Sequence, residues 1–249
     1  MNKVSRPQLF ELVQGSPGTG KTHLTKAIMM LAKLYDAGHC IFTAPTGIAA
    51  AQGDGNTIFT MFNITAYDNP NEDLTADVKL IENDIALSNL RKRIHADTLC
   101  FVAIDEISMV TPYGLSAVDA RLRQAIGNDQ PFGGVSILLI GDFSQLPPIP
   151  VSGALCTCAV KQAMDPQKLA LKYGKTFLRG IDLFRSFELT SLLEQQRAKY
   201  DLDHTEMLER MGKGESLMLE DLAQFKTLSK DDIIADKDWL FAPILVATN

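Results

Sequence analysis

The chain has 249 residues, 46% of them apolar and 22% charged, and a formal net charge of −6. That is enough length for one large or two smaller domains with a sizeable core, and the acidic balance argues against a bulk nucleic-acid coat protein while leaving room for a narrow basic groove. No apolar run approaches membrane-spanning length, and the first fifteen residues lack the apolar core and cleavage site of a signal peptide, so an intracellular chain, cytosolic or nuclear, with no membrane partner is expected.

Leu9, Phe10, Leu12 and Val13 form a short apolar run that suits a buried strand. Gly15 to Thr22 follows and reads Gly-Ser-Pro-Gly-Thr-Gly-Lys-Thr, which fits G-x-x-x-x-G-K-[ST] at every fixed position. Leu24, Ala27, Ile28, Leu31, Ala32 and Leu34 then recur at helical spacing. Strand, glycine-rich loop and helix together make a P-loop rather than a chance glycine-rich turn. Gly15, Gly18 and Gly20 let the backbone turn its N–H groups toward phosphate oxygens at a helix N-terminus, with Ser16, Pro17 and Thr19 completing the loop. Lys21 is expected to reach the β- and γ-phosphates and Thr22 to hold Mg²⁺ through its hydroxyl.

Ala37-Gly38 closes the helix. Cys40 to Thr43 reads as a second buried strand, stopped by Pro45. Thr46 can cap a short helix over 47–51, whose exposed N–H groups either hold a phosphate or form a plain β-to-α turn. Thr57 to Ile64 carries Phe59 and Phe62 three apart, either core residues of a short helix or platforms for stacked bases. Asp73 to Arg93 predicts one or two helices inserted into the main fold. It ends in Arg91-Lys92-Arg93, either a solvated helix end or a phosphate contact.

Leu99 to Ile104 is an uninterrupted apolar strand ending in Asp105-Glu106. Carboxylates delivered at a strand's carboxyl end sit where ligands of parallel α/β sheets collect, so Asp105 is expected to bind Mg²⁺ and Glu106 to orient and deprotonate the attacking water. The alternative is an acidic pair capping the helix that begins near Pro112 and runs to Ile126. Val135 to Ile140 predicts another buried strand, which brings Gln145, in Gly-Asp-Phe-Ser-Gln-Leu-Pro-Pro, to the same edge as a γ-phosphate or water contact. Val151 to Arg185 supports only a loop with one or two short helices. Phe187 to Arg197 gives Leu189, Leu192 and Leu193 before Gln195-Gln196-Arg197. Met207 to Met211 looks helical, and Trp239 to Thr248 looks like a strand just beginning. The four cysteines, Cys40, Cys100, Cys156 and Cys158, form no C-x-x-C pair, so reduced thiols are expected; Cys156 and Cys158 alone would leave a zinc ion half bound.

With these pieces in order the chain resembles the Pif (petite-integration-frequency) DNA helicases of the RecD-like branch of superfamily one, including Helitron helicase domains. The resemblance rests on Gly15 to Thr22, Thr43 to Ala51, Thr57 to Phe62, Ile104 to Met109, Pro131 to Val135 and Gly141 to Ile149, and weakens across 65–95 and 151–183. It implies a P-loop NTPase of RecA-like α/β fold, a mainly parallel sheet with helices on both faces. The first such domain would cover 1–242, with a small helical insertion at about 65–95 near the strand-separation point. The start of a truncated second RecA-like domain would lie at 243–249.

By the same resemblance the activity is an ATP-driven, Mg²⁺-dependent 5′-to-3′ motor on single-stranded DNA and duplex junctions, expected to act as a monomer and, with its second domain missing, weak or inactive alone. Pro45, Thr46 and Gly47 become contacts to the DNA backbone, Phe59 and Phe62 neighbours of stacked bases, and Arg197 a contact to the γ-phosphate. Phe59 stands where many members have histidine, which leaves stacking without a donor, and Gln8 lies too close to Gly15 to act as the family's adenine-reading glutamine. A ring-forming ATPase or a P-loop kinase would share Gly15 to Thr22 but not Thr43 to Ala51 with Gly141 to Pro148. A nucleotide-dependent DNA-binding module without turnover is the non-enzymatic alternative.

Overall fold

Short apolar runs that are buried on both faces favour parallel pairing, with helices in the connections. The computed structural model, which describes residues 7–64, 77–149, 153–223, 225 and 229–235, has that arrangement. Strands β1 (Phe10–Gly15), β2 (His39–Ala44), β3 (Asn56–Thr57), β4 (Leu99–Ile104), β5 (Ser136–Gly141) and β6 (Glu188–Leu192) form one sheet in the order β3-β2-β4-β5-β1-β6. Every neighbouring pair is parallel.

The connections carry helices α1 (Lys21–Leu34), α2 (Gly47–Gln52), α3 (Ile58–Phe62), α4 (Asp84–Arg93), α5 (Pro112–Ile126), α6 (Leu155–Met164), α7 (Pro166–Lys172) and α8 (Lys175–Arg185). Side chains alternate between the two faces of a strand. Leu12, Ile41, Val102, Ile104, Ile137 and Leu139 accordingly face a large core built with α3, α4, α5 and α8. Val13, Phe42, Phe101, Ala103, Leu138 and Ile140 face the other way, against Leu24, Ile28 and Met29 of α1. Helices therefore cover both faces, as expected. Only the first half of the periodic face of α1 is covered, for Leu31 and Leu34 remain 52% and 72% exposed.

Two stretches differ from expectation. Residues 153–185 hold three helices, because Pro166 and Gly174 each end one amphipathic run and start the next: Pro166 occupies the first turn of α7 behind the Asp165 cap, and Gly174 caps α8. Strand β6 lacks an apolar run, since its Glu-Leu-Thr-Ser-Leu sequence is mostly exposed at the sheet edge. Its pairing with β1 defines it. Of the expected insertion, residues 77–95 contain the single helix α4. The rest at 65–76, the strand at 239–248 and the domain start at 243 lie outside the described residues.

Arg91-Lys92-Arg93 is more than a solvated helix end. Arg91 Nε donates to the Ala125 carbonyl at 2.7 Å and Arg93 donates to the Thr60 carbonyl, which ties α4 to α5 and α3. Cys40 and Cys100 lie with their sulfurs 3.9 Å apart, and none of the four cysteines is in a disulfide. Burial, and then the neighbouring Cys100 thiol, pushes Cys40 up to about 12, so it stays protonated and inert near neutral pH.

The chain divides into two compact units, 1–199 and 200–249. Within the second, α9 (Leu202–Lys213) is capped by Asp201 and ends at Gly214 with φ +71°, and it spans the expected helix at Met207. Two further helices, α10 (Leu219–Ala223) and α11 (Lys230–Ala235), follow. Arg210 Nε donates to Asp221 at 3.2 Å and links α9 to α10.

The Pro131 to Val135 segment acts on the fold. Phe132 is fully buried with φ +53°, and Gly133 follows at +68°, so the chain reverses sharply into β5. The turn is held by Asp119, itself 0% exposed, whose Oδ1 accepts the Phe132 N–H at 2.7 Å while its Oδ2 meets Arg123 and Arg179. Gln8 Nε2 donates to the carbonyls of Pro131 and Val135 at 2.6 and 2.8 Å, so this glutamine fastens the entry of β1 to the same turn. Asp119→Ala should lower the unfolding free energy by about 1–3 kcal/mol, the cost of an orphaned buried N–H. Arg123→Ala should cost less, because its pair is partly exposed. Urea titration of both variants checks the order.

Candidate active site

Parallel strands deliver their carboxyl ends to one edge of a sheet. Here β1, β4 and β5, with the chain leaving β6, open onto one cleft of about 530 Å³. Lys21, Thr22, Asp105, Glu106, Gln145 and Arg197 all line it, together with Pro17, Gly18 and Gly20 of the loop. In the sequence these residues lie on four separate segments, and the fold brings them together.

The loop geometry follows from its glycines. Gly18 and Gly20 have φ +87° and +91°, and Gly20 caps α1. Gly15 is buried at the end of β1, where a Cβ would lie 2.4 Å from Thr19 Oγ1. Thr19 itself is buried and donates to the Ser16 carbonyl at 2.9 Å. Lys21 Nζ donates to the carbonyls of Gly15 and Ser16 at 2.6 and 3.1 Å. Burial lowers its pKa, while Asp142, Asp105 and Glu106 act in the opposite direction.

The carboxylates sit on a strained turn. Glu106 has φ +52°, a conformation that costs on the order of 1 kcal/mol or more in a non-glycine residue. Asp105 Oδ1 accepts the Glu106 backbone N–H at 2.8 Å, which holds the Asp105 carboxylate at the edge. Asp105 is 6% exposed, and burial raises its pKa; burial and then Asp105 raise that of Glu106. Desolvated carboxylates suit a hard divalent cation, and Asp105 and Thr22, which line the same cleft, carry oxygen donors of the kind Mg²⁺ takes. The acidic-pair alternative fails on one point: α5 is capped by Thr111, which accepts the Gly114 N–H at 3.1 Å.

Asp142 escaped the sequence reading. It is 4% exposed, accepts the Ser144 N–H at 2.9 Å and the Gln145 side-chain amide at 3.2 Å, and is the foremost charge sustaining the Lys21 ammonium. Its signal was available, since it ends β5 as Asp105 ends β4. His23, Gln52 and Gln196 also line the cleft, and they carried no motif.

The residues expected at DNA divide. Pro45 and Phe59 line a second, apolar cleft of about 50 Å³ with Ile58, Met109, Tyr113 and Pro148. Thr46 Oγ1 accepts the Ala49 N–H at 3.3 Å and caps α2, and Gly47 faces open space. Phe62 is a correction: at 0% exposure it packs in the core below α3 and offers no face to a base. Three residues apart, the two rings share one face of α3, but the packing of that helix buries Phe62 and leaves Phe59, packed against the rim of the same core, only half-buried.

Fold and site define a P-loop nucleotide-binding protein with a RecA-like α/β sheet. Residues 3–221 match the model of the PIF1-like helicase family, and the chain belongs to that family. It is 30% identical over 229 residues to the ATP-dependent DNA helicase PIF1 of Saccharomyces cerevisiae, covering 88% of this chain and 23% of that protein. The PIF1 helicase of Xenopus laevis is 31% identical over 182 residues, 73% of this chain and 24% of its own. Among solved structures, the Pif1 helicase from Bacteroides in complex with ADP-AlF3 and ssDNA superimposes with a TM-score of 0.61 and 25% identity, over 90% of this chain and 46% of that one. The chain thus spans about a quarter of these curated relatives and just under half of the solved helicase.

Lys21→Ala should weaken Mg-nucleotide binding at least about tenfold, because it removes a charge-assisted contact to the phosphates. Calorimetric titration checks it, and an unchanged affinity would count against the site.

Proposed function

We propose that this chain is the ATP-hydrolysing part of a DNA helicase motor that moves 5′-to-3′ along single-stranded DNA and separates duplexes at a junction. The observation that carries the proposal is the convergence of Lys21, Thr22, Asp105, Glu106, Gln145 and Arg197 in one cleft. It is supported by the relatives, which are named ATP-dependent DNA helicases, and by the Bacteroides complex, whose contents are ADP-AlF3 and ssDNA.

In this reading Lys21 and Arg197 face the charge of the γ-phosphate. Thr22 and Asp105 hold Mg²⁺, which when bound neutralises phosphate charge. Glu106 orients the attacking water and takes its proton as the new bond to phosphorus forms and the bond to the departing ADP breaks. Gln145, tethered to Asp142, senses the γ-phosphate or its loss. Pro45, Thr46 and Gly47 contact the DNA backbone and Phe59 stacks on a base. A second RecA-like domain beginning near 243 and the insertion at 65–95 belong to the same reading, as does action as a monomer.

ATPase rates with and without single-stranded DNA test the proposal. Stimulation by DNA is expected. Phosphorylation of a small acceptor would point to a kinase, and DNA binding without turnover to a binding module. Glu106→Gln should retain Mg-ATP binding and lose about 10²- to 10⁴-fold in turnover, because the amide keeps the shape of the side chain but not its basicity. Steady-state turnover beside nucleotide affinity reads both.

The two phenylalanines should separate. Phe59→Ala should weaken single-stranded DNA binding by roughly 1–3 kcal/mol, whereas Phe62→Ala should cost about 3–5 kcal/mol of stability and leave DNA affinity per folded molecule unchanged. Fluorescence anisotropy and thermal melts on each variant decide the assignment.

A further inference from the structure

Strand β6 runs beside β1 in parallel, with Leu192 opposite Gly15, so the chain leaving β6 travels alongside the P-loop. Three residues on, it touches the tip of that loop. The backbone N–H groups of Gln196 and Arg197 both donate to the Gly18 carbonyl, at 2.9 and 3.2 Å. The Gln195 side chain adds a second connection. Its Nε2 donates to the Pro17 carbonyl at 2.7 Å, and its Oε1 accepts the Arg197 N–H at 3.0 Å. One amide therefore bridges the phosphate loop and the backbone of the arginine.

The fit is close. A Cβ on Gly18 would lie 2.1 Å from Gln195 Oε1 and 2.8 Å from Arg197 Cβ, so Gly18 serves this contact as well as its own positive φ. The need for positioning is physical. Arg197 is exposed, and a long exposed side chain samples many rotamers unless its stem is held. Its Cβ is pressed against Gly18 and its side chain lines the cleft, with its charge already acting on Lys21.

We propose that Gln195 is a positioning residue. By bridging the Pro17 carbonyl to the Arg197 N–H, it holds the Arg197 stem against the P-loop tip so that the guanidinium is aimed at the terminal phosphate of a bound nucleoside triphosphate. The inference rests on the nucleotide-binding reading above and goes further, since it assigns a role to a residue that itself touches no phosphate. It also explains why the loop needs Gly18: the glycine admits the amide that aligns the arginine.

The test measures affinities of the full chain for Mg-ADP and for a non-hydrolysable Mg-ATP analogue, which differ by the group Arg197 would contact. Gln195→Met keeps the length and removes both hydrogen bonds. Wild type should favour the triphosphate. Gln195→Met should lose most of that preference, about tenfold, with ADP affinity within twofold and an unchanged melting temperature. Arg197→Ala should lose the same preference, and the double variant should lose no more than Arg197→Ala alone.

Equal loss of ADP and triphosphate affinity in Gln195→Met would show that the residue merely shapes the loop, and would overturn the inference. So would full additivity with Arg197→Ala, or an unchanged preference. A wild type that binds both nucleotides equally removes the terminal-phosphate contact and this inference with it, while leaving the P-loop assignment standing. A wild type that binds neither nucleotide overturns both readings.

Discussion

The structure depends on the placement of β1 between two parallel neighbours. Its residues pair with β5 on one side and β6 on the other, from Phe10 opposite Ile137 to Gly15 opposite Leu192. A strand held on both edges has little freedom to shift, because a one-residue slip would exchange the side chains that face its two cores, Leu12 on one side and Val13 on the other. The P-loop begins where this strand ends, so the position of Gly15 is set by backbone ladders on both sides. The same ladders set Asp142 at the end of β5 and the approach of Gln195 to Arg197 beyond β6. With β4 pairing β5, the Asp105-Glu106 end joins them.

What these strand ends create is a local charge imbalance. Lys21 is partly desolvated and spends its ammonium on the carbonyls of Gly15 and Ser16. Asp105 and Glu106 are held close together on a strained turn, and burial disfavours their charged forms. A phosphate beside the lysine and a divalent cation beside the carboxylates would correct both at once. Conformational strain and desolvation of this kind persist only where the surrounding fold over-determines them. Here the over-determination comes from α5 and its partners, since Thr111 caps the helix just past the carboxylate turn and Asp119, further along it, locks the turn into β5.

The two clefts at this edge differ in chemistry. One collects the charged and amide groups of five sequence segments, and the other collects Pro45, Phe59 and Pro148 with aliphatic neighbours. The short Ile107–Met109 turn separates their contributions: Glu106 at its start belongs to the first and Met109 at its end to the second. A change of backbone at Glu106 would be felt on both sides.

The sequence by itself determined the local pieces. Gly15 to Thr22 had to be a strand-loop-helix anion site, because glycines at those positions permit the positive φ values and Lys-Thr supplies the charge and hydroxyl. The apolar runs at 99–104 and 135–140 read as buried strands, because they are short and lack the alternation that would give them a solvent face. Those signals are local and survive in any single segment. Tertiary structure decided what depended on distance. Strand β6 carries too little apolar character to be seen before it pairs with β1. Phe62 and Phe59 share one spacing and one residue type, and only the packing of α3 sends the first into the core. Asp142 comes to act on the charge of Lys21, and Gln195 to bridge to Arg197, only once parallel pairing has carried distant strand ends to one edge.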